Sequence, residues 1–129
     1  MGERFLIDTN IIIYLLDGVL PAGSINQIST IVQSETNISV ITRIEVLGYP
    51  FDSKLNEERT NDFVSKCIVY ELDNLVSNQT IKLRKEYKLK LPDAIIAATA
   101  IVHSFSWITR NEKDFGKISD LKVVNPFTL

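Results

Sequence analysis

The sequence predicts an α/β fold, a three-layer α/β/α sandwich around a mainly parallel central sheet. Three observations predict it. Short runs rich in apolar and β-branched residues, at 5–7, 37–40, 68–72, 106–108 and 122–124, alternate with longer segments of helical spacing, as repeated strand–helix–strand units do. The stretch from Ala94 to Val102 is small or apolar almost all round, as a helix buried against a sheet must be. Finally, 129 residues suffice for one domain that buries about two-thirds of its unfolded surface, and no internal repeat divides the chain.

Taken in order, Phe5-Leu6-Ile7 reads as a strand covered on both faces, broken by the charge of Asp8. Thr9 and Asn10 favour a helix start. The apolar run from Ile11 to Leu16 is compatible with helix or strand by periodicity, and Asp17-Gly18 closes it as a turn. A loop from Gly18 to Gly23 leads to Ser24, the expected N-cap of a helix carrying Ile25, Ile28, Ile31 and Val32 to about Glu35. After the strand candidate 37–40 comes a brief helix, 41–48, stopped by Gly48 and Pro50. Residues 55–67 suggest an exposed helix anchored by Phe63 and Val64. Strand candidate 68–72 follows, then Asp73 as N-cap of a helix to about Lys88, with Leu75, Ile81 and Leu83 among its apolar positions. Leu91-Pro92-Asp93 opens the buried helix, Ser106-Trp107-Ile108 is a strand ending in the polar turn Thr109-Arg110-Asn111, and Lys122-Val123-Val124 is the last strand.

Composition narrows the class. No apolar run approaches the ~18 residues of a membrane span, and no basic, apolar leader opens the chain, so cytoplasmic residence is expected. A single cysteine, Cys67, builds neither a disulfide framework nor a thiolate metal site; it is expected to be a small buried residue in a reducing compartment. The formal charge of −2 and pI near 5.4 oppose nucleic-acid binding by general electrostatics, so such a role needs a local basic patch or bound cations.

Four acids stand out. In a parallel sheet the residues that follow each strand share one edge. Asp8, Glu45 and the turn from Thr109 to Asp114 all fall there, and Asp93 opens the buried helix before that turn. Singly, each has an ordinary explanation: a cap at Asp8 or Asp93, a pair with Arg43 for Glu45, a loop acid beside Lys113 for Asp114. Jointly these explanations fail. Two carboxylates ~4 Å apart repel by roughly 4 kcal/mol at an effective dielectric near 20, so a converging quartet calls for positive charge between its members. Magnesium or manganese suits oxygen donors, whereas zinc would want nitrogen or sulfur, and His103 and Cys67 stand at unrelated places.

Asp8-Thr9-Asn10 after a strand, Glu45 followed by Gly48, Leu91-Pro92-Asp93-Ala94 with Ile96-Ala97-Ala98, and Thr109-Arg110-Asn111-Glu112-Lys113-Asp114-Phe115 resemble the PIN-domain ribonucleases. The resemblance is closest to VapC-type toxins of toxin–antitoxin pairs. It covers nearly the whole chain, which implies one PIN-like nuclease domain over residues 1–129. It implies an endoribonuclease using Mg2+ or Mn2+, with Asp8, Glu45 and Asp93 as first-choice ligands and Asp114 completing the pocket. Thr9, Thr109 and Asn111 are expected to serve ligands or the scissile phosphate, and Arg43 and Arg110 the phosphate or a partner's acid. A cognate antitoxin and a homodimer are further implications. With no histidine placed to activate a ribose hydroxyl, hydrolysis by an activated water and a 5′-phosphate product are expected.

The densest basic stretch, Lys82 to Lys90, leads straight to Asp93; it reads equally as an RNA guide or as a solvated helix face paired through Glu86. His103, nearly three turns past Asp93, is expected to pack rather than ligate, and Trp107 to be core. A haloacid-dehalogenase phosphatase needs a second acid where Asn10 stands, and a phospho-receiver lacks its acidic pair. The stronger alternative is a PIN-like binding module whose acidic pocket is idle.

Overall fold

In a computed structural model, which describes residues 3–128, strands and helices follow one another as β1 (Phe5–Ile7), α1 (Thr9–Asp17), α2 (Ala22–Ser34), β2 (Asn37–Ser39), α3 (Val40–Leu47), α4 (Lys54–Ser65), β3 (Ile68–Tyr70), α5 (Asn74–Glu86), α6 (Leu91–Val102), β4 (Ser106–Ile108), α7 (Glu112–Phe115) and β5 (Lys122–Val124). The strands form one sheet in the order β3-β2-β1-β4-β5, and every neighbouring pair is parallel. Strand order therefore reverses beside β1, which has β2 on one side and β4 on the other. Open α/β sheets form a crevice beyond the carboxyl ends of their strands at such a point.

The alternation of side chains along each strand builds the three layers. Leu6, Trp107 and Val123 are in register across β1, β4 and β5 and pack with α5 and α6 through Val76, Leu83, Ile96 and Ala97. Ile7, Ile108 and Val124 are in register on the other face and meet Ile11, Ile12, Ile28, Val46 and Val64 of α1–α4. The alanines of α6 let it lie close to the sheet, and all residues from Ala94 to Ala100 are buried. Trp107 is fully buried, its ring 4.4 Å from that of Phe115.

Helix starts follow local chemistry. The side chains of Asp8, Ser39, Ser53 and Asp73 each accept a backbone N–H at the head of a helix. Gly18 ends α1 at φ 71°, the left-handed conformation that glycine takes without a Cβ penalty. Because Ser39 caps, Val40 is the first residue of α3 rather than the last of a strand, and Glu71 and Leu72 lie beyond β3.

Three expectations need correction. α2 begins at Ala22 behind Pro21, not at a Ser24 cap; Ser24 is buried and donates its hydroxyl to the carbonyl of Pro126. Proline's fixed φ suits the start of a helix, which frees that hydroxyl to tie down the tail. Leu75 and Ile81 point outward, 66% and 52% exposed, because α5 buries the face of Val76, Thr80 and Leu83 instead. The polar turn after β4 contains a short helix, α7, capped by the Asn111 side chain. Among the described residues no helix is long and apolar enough to cross a membrane by itself.

Candidate active site

Asp8 is the last residue before α1 and hangs on the sheet through its own N–H, which donates to the Ile108 carbonyl at 2.9 Å. Its carboxylate is held at both oxygens. Oδ1 accepts the Thr9 N–H at 2.9 Å, and Oδ2 accepts the hydroxyl of Thr109, also at 2.9 Å. Thr109 is fully buried at the end of β4, its N–H given to the Val124 carbonyl. The two strands flanking the reversal thus set the carboxylate between them.

Glu45 comes from α3. It is exposed, yet its Oε1 accepts the Thr9 hydroxyl at 2.7 Å. Asp93 is the third residue of α6, after Pro92, where the helix dipole favours negative charge. Lys90 stands at the N-cap position and Asp93 serves no cap; its carboxylate has no hydrogen-bond partner among the described residues. Asp8, Glu45 and Asp93 share a cleft of about 330 Å³ with Lys90, Asn111 and Phe115 in its walls. The capping and surface-pairing explanations therefore do not account for Glu45 and Asp93.

The electrostatics agree with the geometry. Burial pushes the Asp8 carboxyl up to about 6, and the charges of Asp93 and Glu45 add to the effect against the bonds from Thr109 and Thr9. Asp93 is raised too, by burial first and then by Glu45; Lys90 opposes the shift and Asp114 adds to it. Desolvated carboxyls raised further by acidic neighbours, as Asp8 and Asp93 are, mark a place where positive charge is missing.

The other candidate residues divide. Asp114 is exposed on α7; its Oδ2 accepts from Asn111 Nδ2 at 3.0 Å, and its field reaches Asp93, though it is not a wall of the cleft. Asn111 lines the cleft and donates its N–H to Thr109 Oγ1 at 3.2 Å. Thr9 and Thr109 give their protons to Glu45 and Asp8, so their first partners are carboxylates. Arg43 is exposed on α3 outside the cleft walls. The Arg110 guanidinium lies over the ring of Phe127 at 4.3 Å and 5.9 Å from that of Tyr14, and Arg110 is not among the cleft walls. Sequence reasoning missed Asn125, which is buried and donates to the Arg110 carbonyl and to Glu112 Oε1, steadying the loop that carries Thr109 and Asn111. It also missed Thr42, buried 3.1 Å from Thr9; its place three residues before Glu45, on the same helix face, was the available signal.

These donors suit a hard divalent cation. Among the described residues no three acid, imidazole or thiol groups close into a ready-made cage. Zinc does not fit. His103 caps the far end of α6 with its ring 4.7 Å from Tyr70, and Cys67 follows α4, its thiol pushed up to about 11 by burial.

Fold and site together define a doubly wound α/β protein with an acidic pocket at the reversal of its strand order. The chain belongs to the PIN-domain family, whose model matches residues 5–121. Solved structures agree. It is 37% identical to a chain of a toxin–antitoxin complex from Klebsiella pneumoniae, with a TM-score of 0.76 over 95% of this chain and 98% of that one. It also resembles chains of VapBC2 from Rickettsia felis bound to a promoter DNA fragment (21% identity, TM-score 0.81, 95% and 98% covered) and of DNA-bound VapBC from Salmonella typhimurium (24%, 0.80, 97% and 99%). At those identities the likeness speaks for the fold. No curated protein matches the chain.

Proposed function

We propose that this protein is a Mg2+- or Mn2+-dependent endoribonuclease that hydrolyses RNA phosphodiester bonds in the cytoplasm, and that it is the toxin of a toxin–antitoxin pair. One observation carries the reading: Asp8, Glu45 and Asp93, from three separate elements, meet in one cleft where the strand order reverses. Membership of the PIN family and the likeness to a toxin–antitoxin complex support it.

Asp8, Glu45 and Asp93 would hold the cation, with Asp114 acting on it at longer range. A hard divalent ion bound there supplies Lewis acidity toward water and neutralises charge on the phosphate oxygens. The chain's own residues do the rest. Thr9 and Thr109 fix the angle of the two carboxylates they bond. Lys90, the end of the basic stretch, brings a cation to the wall of the cleft and can meet a substrate phosphate. Asn111 presents an amide at the same wall. With His103 at the opposite end of α6, no imidazole serves a ribose-hydroxyl route, so water attacks the phosphorus and the cut leaves a 5′-phosphate.

For the protein partner we assign a second groove, of about 310 Å³, whose walls include Ile13, Leu16, Val46, Tyr49 and Phe51 with Arg59. Its walls come from α1, α3, α4 and the loop between α3 and α4, with Asp17 and Asp52 among them. A homodimer completes the proposal.

The test is cleavage of varied RNAs by the protein freed of any partner, with and without Mg2+ or Mn2+, and mapping of the product ends. Cation-dependent cleavage giving 5′-phosphates, lost in Asp93→Ala, supports the proposal. A cyclic phosphate at the cut end would refute the mechanism. Inertness on all RNAs with both cations would favour a binding module.

A further inference from the structure

Four threonines of this chain share one habit. Thr30, Thr60, Thr80 and Thr99 lie within helices and donate their hydroxyls to the carbonyl four residues back, at 2.9, 2.8, 2.7 and 2.8 Å. Such back-bonding is the usual way for a helical threonine to satisfy itself. Thr42 in α3 does not do so. Four residues before it is Ile38, in β2, and its Oγ1 instead lies 3.1 Å from Oγ1 of Thr9. Thr42 is fully buried, so its hydroxyl must find a protein partner, and Thr9 is its partner among the described residues.

Proton counting sets the direction of that bond. A threonine hydroxyl has one proton to give. The proton of Thr9 goes to Glu45 Oε1, at 2.7 Å the shorter contact and the charged acceptor. Thr42 must then donate to Thr9. The result is a directed chain from Thr42 through Thr9 to Glu45, which anchors an exposed carboxylate to the buried interior of the fold.

We propose that Thr42 is a positioning residue for the acidic cleft: its hydroxyl fixes the Thr9 hydroxyl that donates to Glu45, and so holds that carboxylate toward Asp8 and Asp93. The inference rests on the metal-binding reading of the cleft. Glu45 is exposed, and its long side chain would otherwise range over several rotamers. Held through its proton by Glu45 and through a lone pair by Thr42, Thr9 Oγ1 is fixed from two sides, which keeps the side chain in one rotamer. Partners of ligating groups typically change metal affinity by ten- to a hundredfold.

Two substitutions separate positioning from mere packing. Thr42→Val keeps the shape and removes the hydroxyl; Thr42→Ser keeps the hydroxyl. Calorimetric titration of the intact chain with Mn2+ alone is expected to show about tenfold weaker binding in Thr42→Val, near wild-type binding in Thr42→Ser, and little change of melting midpoint in either. In the metal-free protein, three-bond couplings to the Thr9 methyl are expected to report one χ1 rotamer in wild type and an average in Thr42→Val. Wild-type Mn2+ affinity and an unaveraged Thr9 in Thr42→Val would overturn the proposal. Losses in both variants that track the melting midpoint would do so too. If the wild type binds no Mn2+, the metal reading fails, while the Thr9 couplings still decide whether the relay exists.

Discussion

The two edges of the sheet carry similar numbers of charged groups and treat them in opposite ways. At the amino edge, Arg4 makes a two-pronged pair with Glu35, both contacts 2.9 Å. Nearby, Glu3 meets Lys122 and the Ser106 hydroxyl. These partners draw the carboxyls down: Glu35 by its bond to Arg4, Glu3 by its bond to Lys122. At the carboxyl edge, Asp8 is pushed up to about 6 and Asp93 is also raised, each chiefly by burial and then by acidic neighbours. One edge is charge-paired within the chain, and the other gathers acids with Lys90 as the cation in their cleft wall. Uncompensated charge held in fixed geometry works against folding, and such places are where functional sites cluster.

The sharpest way to break this contrast is to neutralise one acid on each edge. Asp8→Asn is expected to lower RNA cleavage by roughly 10²–10³-fold or more with the fold retained by circular dichroism, while Glu3→Gln leaves cleavage unchanged. Equal losses at both edges would mean the activity tracks stability rather than the cleft. Cation binding is the next largest effect. At a hundredfold excess over Kd, Mn2+ should stabilise the native state by about 2.7 kcal/mol, read as a rise in melting midpoint that Asp8→Asn abolishes and Glu35→Gln does not.

The pH response should differ in sign. In the metal-free protein Asp8 binds its proton more tightly when folded, so its contribution favours the folded state at low pH. That contribution is lost as pH rises from the ordinary carboxylate range, near 4, through about 6. The full shift corresponds to about 3 kcal/mol, and Asp8→Asn should flatten that part of a stability–pH curve. Glu3 and Glu35 work the other way: their lowered values favour folding above the ordinary range, a contribution lost as pH falls. With Glu3 exposed and Glu35 part-exposed, they should give a small, salt-sensitive signal. The smallest expected effect is that of Arg4→Gln, a slight fall in melting midpoint with cleavage untouched.

Much of the fold was legible because it depends on local pattern. The apolar triplets of the strands, the caps at Asp8 and Asp73, and the uniformly buried α6 could all be read from neighbouring residues. Leu75 and Ile81 could not. Their spacing is compatible with a buried stripe, and only the packing of α5 against α6 selects the face of Val76, Thr80 and Leu83. Ser24 likewise has the chemistry of a cap, but its hydroxyl is used by a carbonyl 102 residues away. Arg110 is a cation in a motif beside the site, yet its guanidinium faces the rings of Phe127 and Tyr14, a contact set by where the tail returns.

By itself the sequence determined the strand–helix order, the parallel sheet that this order demands, and the acids Asp8, Glu45, Asp93 and Asp114 placed after strands or at a helix start. The reason is that strand runs, caps and helix faces are decided over a few residues. Only the tertiary structure decided that Asp8, Glu45 and Asp93 share one cleft while Asp114 stands outside its walls, and that the threonine hydroxyls turn toward carboxylates. Those facts depend on which strands become neighbours and how deeply each oxygen is buried, and neither is a property of any short stretch of chain.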